Sequence, residues 1–309
     1  MRKILFLLMV LTACLAFAGC GNGSPAAGES GKTLTYKDQT VNLKSLPQRP
    51  VTLTAPLLNM AYAVGGTSMA RPTTQSPIPD AAKSLPELGQ VSHIDMEKLV
   101  SLNPDFVIGE TKQNQKLESL LKSNNLPYIL VNYDGISDNV PLLKFLGEVY
   151  GKEDQAAQVI SQYEAGVKAA EDKAAGYTPA KVAVLRATGK DVTAETPESI
   201  CASMVSYLKM NNVITAHKEL NLSDKTVPYS LEQLTADDPE VIFIVTMGKA
   251  SEINKKLDEE MRSNPAWSGL QAVKAGKVFF LPYDLFLMNP GVRTPEAMDQ
   301  LIHLAYEGK

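Results

Sequence analysis

The sequence predicts an α/β protein of two lobes with mostly parallel sheets, joined by one long helix. A unit of helix, turn and buried strand occurs twice, at 95–108 and 230–243, and the two copies align without a gap at an offset of 135 residues. Between the copies, residues 153–175 contain no proline and one glycine, and their apolar residues recur every three or four positions. That spacing is typical of a single amphipathic helix. Two similar units around one helix imply two lobes of the same Rossmann-like build.

Both copies of the repeat carry the same local signals. Each opens with a residue whose side-chain oxygen can cap the first turn of a helix, Asp95 or Ser230. Each places a glutamate two residues further on, Glu97 or Glu232, where the positive end of the helix dipole favours a carboxylate. A proline then ends the helix, and an apolar run follows that reads as a buried parallel strand.

The remaining segments alternate between strand and helix, which favours βαβ units. Strands are predicted at 51–54, 128–131, 181–186 and 278–281. Helices are predicted at 56–64, 112–123, 139–150, 197–210, 249–262 and 295–306. Residues 67–93 are rich in Pro, Ser and Thr and are predicted to form a long crossover, the kind of loop that often carries function.

The amino terminus has the layout of a secretory signal peptide: two basic residues, an apolar run and then small residues. The run 17–20, Phe-Ala-Gly-Cys, resembles the bacterial lipobox, in which the cysteine is lipidated and becomes the new amino terminus. An ordinary secretory signal with an incidental cysteine is the alternative. The predicted organisation is a signal peptide at 1–19, lipidated Cys20 with a flexible tether at 20–32, an N-terminal lobe at 33–150, a connecting helix at 151–176 and a C-terminal lobe at 177–309.

Composition excludes several classes of function. With 44% hydrophobic and 21% charged residues the chain of 309 residues is an ordinary globular protein, and its net charge of −4 argues against nucleic acid as a partner. Of three cysteines only Cys201 would remain free in the exported part, so no internal disulfide is expected and Cys201 is predicted to be a buried thiol. The sequence contains no nucleophile elbow, zinc-protease motif or phosphate loop, so we expect neither an enzyme nor a catalytic cofactor.

Several motifs together resemble one family. They are Leu-Gly at 88–89, the repeat itself, 229–234, 264–267, 272–278 and Gly-Val-Arg at 291–293. Over residues 50–307 the chain is similar to the substrate-binding proteins of ABC importers for iron siderophores, haem and cobalamin. The resemblance implies import without catalysis, by a monomer that binds its ligand between two lobes that move little. It also implies a permease dimer with its ATPase as partner. Together with the lipobox-like leader, we expect an exported protein that is lipid-anchored to the outer face of the cytoplasmic membrane, or to its periplasmic side in a cell with two membranes.

The resemblance gives the two repeat glutamates a second meaning. It implies that Glu97 and Glu232 pair with arginines of the two permease subunits and so dock the binding protein on the transporter. The alternative is that each carboxylate only complements its helix dipole, which contributes about 0.3–1 kcal/mol. The two roles do not exclude each other.

Candidate ligand-binding residues follow from the rule that ligands meet the loops beyond the carboxyl ends of strands in α/β sheets. They are Met60, Arg71, His93, Arg186, Met247, Tyr283 and Arg293. Arginines suit an anionic ligand such as haem propionates or a ferric siderophore, although internal ion pairs are the alternative. Tyr283 could stack on a macrocycle, ligate iron or belong to the core.

His93 and Met247 are the predicted haem ligands, because a histidine and a methionine are one of the axial pairs that hold haem iron. The chain looks most like the haem-binding lipoproteins of the family. That resemblance implies a Met at the position of Ser92 and a His at the position of Met247, so the two residue types stand in different lobes here. The pair is then either exchanged between the lobes or absent. A ferric-siderophore or cobalamin-like corrinoid ligand stays open, as does a sensor or adhesin on the same fold, and His217 and His303 are weaker candidates as ligands.

Overall fold

The computed structural model describes residues 31–133 and 135–308, without the side chains of residues 261 and 262. The predicted signal peptide at 1–19, Cys20 and most of the tether lie outside these residues. The strands are β1 (Lys32–Tyr36), β2 (Gln39–Leu43), β3 (Pro50–Thr52), β4 (Phe106–Glu110), β5 (Tyr128–Val131), β6 (Lys181–Ala187), β7 (Val192–Glu195), β8 (Asn211–Asn212), β9 (Thr226–Pro228), β10 (Val241–Thr246) and β11 (Val278–Leu281). The α-helices are α1 (Ala55–Ala63), α2 (Met96–Ser101), α3 (Thr111–Asn114), α4 (Glu118–Ser123), α5 (Asn139–Tyr150), α6 (Glu153–Ala174), α7 (Ile200–Tyr207), α8 (Leu231–Asp237), α9 (Ala250–Ser263), α10 (Pro265–Ser268), α11 (Gln271–Lys274), α12 (Tyr283–Phe286) and α13 (Thr294–Ile302).

The N-terminal lobe is built on a parallel sheet in the order β3-β4-β5. Phe106, Val107 and Ile108 of the central strand are fully buried, because a strand covered on both faces needs apolar side chains on both sides. Phe106 and Ile108 belong to one core cluster and Val107 to another. The core of this lobe therefore lies in two layers, one on each side of β4.

The sequence patterns do not predict the antiparallel hairpin of β1 and β2. Leu34 and Tyr36 are buried beneath it, and Gln39 Nε2 donates to the Leu130 carbonyl at 2.6 Å. The hairpin thereby covers part of the exposed edge of β5. It begins at Lys32, the last residue assigned to the tether, and its short strands carry too few apolar residues to stand out from that tether.

The long helix α6, Glu153–Ala174, ends one residue before the periodic run 153–175 and lies two residues inside each bound of the predicted connecting helix at 151–176. Its buried stripe includes Ala156, Tyr163 and Ala170, and it packs against α5 of the N-terminal lobe and α13 of the C-terminal lobe. Its one glycine, Gly166, lies against Pro295, since a Cβ there would stand 2.9 Å from the proline ring. One continuous helix thus supports both lobes.

The C-terminal lobe is built on a six-stranded sheet in the order β11-β10-β6-β7-β9, with β8 also paired to β6. β11, β10, β6 and β8 are parallel, as predicted, whereas β7 and β9 are antiparallel. All six residues of β10 are buried, as expected for a central strand. The antiparallel strands are short and lack clear alternation, so they are not predicted from the sequence.

Some helices are shorter than predicted. The segment 112–123 divides into α3, a 3-10 turn (Gln115–Leu117) and α4, because the buried Asn114 side chain accepts from the Glu110 N–H at 2.9 Å and donates to the Val91 carbonyl at 3.1 Å. The helix at 197–210 contracts to α7, and the last helix ends in a π-helical turn (His303–Glu307). Within the described ranges, the helices fall short of the length and apolar character that a bilayer span requires.

Candidate functional site

The two copies of the repeat adopt the same local structure. Asp95 and Ser230 each accept a hydrogen bond from the amide three residues on, at 2.9 Å and 3.1 Å, so both predicted N-caps are confirmed. Beyond each helix one residue has a positive φ, Asn103 at 48° and Asp238 at 40°. These residues occupy equivalent places in the repeat, so the internal similarity extends to the backbone of the turn.

Glu97 and Glu232 lie in the first turns of α2 and α8 and are exposed. Neither carboxylate forms an ion pair with any residue in the described part of the chain. Each helix runs back along the strand that follows it, so its start lies at the edge of the sheet where strands end. The Asn114 bond to the Val91 carbonyl confirms this for α2, because Asn114 follows the end of β4. Both glutamates are therefore solvated carboxylates at the edge of each sheet where its parallel strands end.

Two small cavities lie at that edge, between the lobes. The first has a volume of about 120 Å³ and is lined by Glu110, Lys112, Gln113, Tyr133, Ile200, Lys225, Leu287, Met288 and Asn289. The second, of about 20 Å³, is lined by Ala55, Pro56, Asn59, Ser76, Pro77, Asp284, Met288, Asn289, Pro290 and Arg293. Met288 and Asn289 line both cavities. Amine, carboxyl, amide and phenol groups make up most of the walls of the larger cavity, which suits a polar ligand.

Direct hydrogen bonds cross between the lobes beside these cavities. The hydroxyls of Ser76 and Tyr283 are 3.0 Å apart. The buried Asn289 amide donates to the carbonyls of Tyr133 and Gly135 at 3.2 Å and 3.0 Å. A cavity of about 120 Å³ is smaller than the roughly 300–1,000 Å³ of small-molecule sites, so a ligand of that size needs the lobes or side chains to move.

His93 and Met247 lie at the predicted edges but outside the cleft cavities. His93 is exposed, and its Nδ1 is 2.9 Å from the Ser92 hydroxyl. Met247 follows β10, where its N–H donates to the Ala187 carbonyl at 2.9 Å, and its side chain is 53% exposed. Neither residue lines either cavity.

The three candidate arginines all form internal ion pairs, the alternative left open by the sequence. Arg71 pairs with Glu87 at 2.5 Å, while its buried Nε has no hydrogen-bond partner among the described residues. Arg186 pairs with the fully buried Glu195 at 2.6 Å. Arg293 is held by two carboxylates, both of which raise the pKa of its guanidinium, yet it still lines the smaller cleft cavity.

Met60 corrects the prediction most clearly. Its side chain is fully buried in the core of the N-terminal lobe, and Gly291 packs so closely that a Cβ there would stand 2.8 Å from Met60 Cγ. Leu57, Leu58 and Met60 are all buried, so α1 is covered on more than one side. Met60 is therefore a packing residue in this structure and not exposed to the cleft.

Cys201, His217 and His303 are the remaining side chains that the sequence brings to attention. Cys201 is a buried thiol, as predicted, and burial raises its pKa. His217 and His303 each lie beside carboxylates. Within the described residues, no group of three or more His, Cys, Asp or Glu could hold a metal ion. A cavity of about 410 Å³ between Tyr229, Trp267 and α9 belongs to the C-terminal lobe alone.

Sequence reasoning missed several cleft residues. Glu110 ends β4 and Tyr133 follows β5, so the strand-end rule could have found both. Lys225 and Asn289 come from segments without a recognisable motif and reach the cleft only through the tertiary fold.

Comparisons with known proteins agree with this architecture. The chain is 23% identical to the high-affinity heme uptake system protein IsdE of Staphylococcus aureus strain MRSA252, over 310 residues that cover 100% of both chains. Among solved structures it is similar to an ABC transporter substrate-binding protein from Listeria monocytogenes EGD-e, with a TM-score of 0.75, 20% identity and coverage of 85% of this chain and 100% of that one. S. aureus IsdE complexed with heme gives a TM-score of 0.72, 23% identity and coverage of 84% and 98%. S. aureus SirA complexed with staphyloferrin B gives 0.72, 21% identity and coverage of 88% and 98%.

The family model of periplasmic binding proteins matches residues 51–285, more than half of the chain. This chain therefore belongs to the periplasmic binding protein family.

Proposed function

We propose that this protein is the substrate-binding component of an ABC importer and delivers an iron-containing ligand, held between its lobes, to a membrane permease. One observation carries the proposal: two similar lobes present a polar cleft and matched, exposed carboxylates, without ion pairs among the residues that the structure describes, at the same edges of their sheets. Membership of a binding-protein family supports transport in place of catalysis.

Haem or a related metal macrocycle is the first candidate ligand, because the relative that aligns over the whole chain is a heme uptake system protein. A ferric siderophore is the second, since the cleft walls are mostly polar and SirA, of similar fold, is complexed with staphyloferrin B. A cobalamin-like corrinoid is the third. Lys112 and Lys225 line the cleft from opposite lobes, beside Glu110, and two amines suit the carboxylates of haem or of a siderophore.

The groups that would hold iron are proposed on different grounds. His93 and Met247 follow from their places after strand ends and from the His/Met axial pair, but both are exposed and outside the cleft cavities. Met288 and Tyr133 line the larger cleft cavity and offer a thioether and a phenol, both of which can ligate haem iron. Position in the cleft favours the second pair.

A spectroscopic experiment separates these possibilities. Residues 32–309 are titrated with hemin and visible spectra are recorded for the wild type and for His93→Ala, Met247→Ala, Met288→Ala and Tyr133→Phe. A Soret shift in the wild type supports haem, and the variant that alters it identifies a ligand. If hemin produces no shift, while ferric staphyloferrin B or cyanocobalamin binds in calorimetry, the ligand is a siderophore or a corrinoid.

Docking through Glu97 and Glu232, and anchoring through a lipidated Cys20 on the outer face of the membrane, complete the proposal. The two carboxylates are exposed and free of ion pairs among the described residues, as an arginine partner requires. Charge reversal by Glu97→Lys and Glu232→Lys should weaken binding to the permease in nanodiscs while ligand affinity stays unchanged. Loss of ligand affinity in these variants would contradict a role confined to docking.

A further inference from the structure

A basic side chain donates hydrogen bonds to backbone carbonyls at the carboxyl ends of both α2 and α8. On α2, Arg49 donates from Nε to the Asn103 carbonyl at 3.0 Å and from Nη2 to the Leu102 carbonyl at 2.5 Å. On α8, Lys181 Nζ donates to the Asp237 carbonyl. Arginine and lysine both stay protonated at neutral pH, so this shared cap does not respond to pH.

A second support is found on α8. His217 Nε2 is 2.7 Å from Asp237 Oδ2, and its Nδ1 is 2.9 Å from Glu219 Oε1. The Tyr229 hydroxyl donates to the same Asp237 oxygen. Tyr229 directly precedes the N-cap of α8 and Asp237 is the last residue of the helix. The network of His217, Asp237 and Tyr229 therefore connects one end of α8 to the other.

The equivalent positions on α2 carry side chains that do not titrate. Counting back 135 residues, Tyr229 corresponds to Ile94 and Asp237 to Leu102. Ile94 and Leu102 belong to an apolar cluster of the N-terminal lobe. The protein thus contains two copies of one helix, of which one is held by a titratable network and the other by apolar packing.

The geometry favours the protonated form of His217. Ionised carboxylates only accept hydrogen bonds, so contacts from both ring nitrogens to carboxylates require an imidazolium. Hydrogen bonds to Asp237 and then to Glu219 raise the pKa of His217. The other groups facing Asp237 are Lys181, through the backbone carbonyl, and Tyr229, whose pKa is raised by burial. Of these groups, His217 is the one that changes charge near neutral pH.

We propose that His217 is a positioning residue for α8, so that attachment of the C-terminal lobe to the permease is stronger when the imidazole is charged. This inference rests on the proposed docking role of Glu232. A neutral imidazole has one N–H and cannot donate to both carboxylates, so its hold on Asp237 weakens and α8 loosens. α2, and with it Glu97, is unaffected.

The first test uses the full chain in detergent micelles. Exchange of the histidine Cε1 hydrogen, followed by mass spectrometry, gives the titration midpoint of His217, which should lie above 6.5, the ordinary value. Amide exchange at residues 231–238, corrected for intrinsic rates, should quicken about fivefold from pH 6 to pH 9, since a charge-assisted bond is replaced by a weaker one. Residues 96–103 are the internal reference and should not change.

Two variants and one control sharpen this test. His217→Gln should abolish the pH dependence of exchange in α8, whereas His303→Gln, at an exposed histidine also paired to a carboxylate, should preserve it. Glu219→Gln, at a mostly exposed side chain, should lower the His217 midpoint without disturbing the core. Exchange in α8 that is independent of pH in the wild type, or equally dependent in His217→Gln, would overturn the proposal.

The second test measures docking on the permease–ATPase complex in nanodiscs. Dissociation of the wild type should become several-fold faster from pH 6 to pH 9, and that of His217→Gln should be fast at both. If Glu97→Gln and Glu232→Gln bind like the wild type, the docking function fails while the exchange results stand. If both weaken binding but wild-type binding does not depend on pH, the role of His217 fails and docking stands.

Discussion

Replacing Arg186 by methionine tests whether this arginine supports the fold or the ligand. Its guanidinium donates to Glu195 Oε1 from Nε at 2.8 Å and pairs with it through Nη2 at 2.6 Å, and Glu195 is fully buried. Ser199 is the remaining donor to this carboxylate, at 2.8 Å. Arg186→Met therefore leaves a buried carboxylate without its hydrogen-bonded counter-charge, while Lys225 keeps a weaker electrostatic effect on it. We expect the free energy of unfolding at pH 7 to fall by about 3–5 kcal/mol.

Urea denaturation measures this loss, and Arg293→Met is the matched control. The partners of Arg293 keep access to water, since the side chains of Asp284 and Glu296 are 17% and 55% exposed, so the control should lose only about 1 kcal/mol. Burial already raises the pKa of Glu195, and removal of Arg186 raises it further. The extra instability of Arg186→Met should therefore shrink as pH falls and Glu195 is protonated. A loss below about 1 kcal/mol at pH 7 would refute the assignment of Arg186 to the fold.

Three further predictions concern other parts of the molecule. The pKa of His217 is raised on folding, so its contribution to stability is complete below about pH 6.5 and is lost as pH rises through the folded pKa. Urea denaturation from pH 5.5 to 9 should therefore show a fall in the free energy of unfolding for the wild type that is missing in His217→Gln. Tyr283→Phe removes the hydroxyl contact with Ser76 across the cleft, so stability should fall by less than about 1 kcal/mol while stopped-flow association of hemin quickens, and an unchanged rate would show that this contact does not restrict entry. Gly147→Ala places a Cβ 2.6 Å from that of Ala156 on α6 and should lower the thermal midpoint through about 1–3 kcal/mol of overpacking, whereas Gly189→Ala, with no atom within 4 Å, should be neutral; equal midpoints would contradict the close packing of α5 on α6.

The repeat was predictable because its signals are local. The caps at Asp95 and Ser230 act within one turn, and the positive φ at Asn103 and Asp238 follows directly after each helix. Such chemistry depends on a few neighbouring residues, so one sequence is enough to recognise it.

The cleft was less predictable because its walls come from distant segments. Asn289 contacts the carbonyl of Tyr133, 156 residues earlier in the chain, and no local pattern signals such a contact. The strand-end rule places Met60 at the rim because it follows β3, and periodicity does not correct this, since α1 is apolar on most sides. The ion-pair partner of Arg186 is Glu195, the last residue of β7. The four residues of this antiparallel strand show no clear alternation, so the pair is not predictable from the sequence.

Ligand binding by a cleft variant tests the central claim most directly. Met288 lines both cleft cavities, so an indole at this position should fill them, whereas Leu120 is 44% exposed on α4 and provides the control. The wild type, Met288→Trp and Leu120→Trp are titrated with hemin, ferric staphyloferrin B and cyanocobalamin. We expect one of these ligands to bind the wild type and Leu120→Trp alike and to fail to bind Met288→Trp. Equal binding by all three proteins, or none by the wild type, would contradict it.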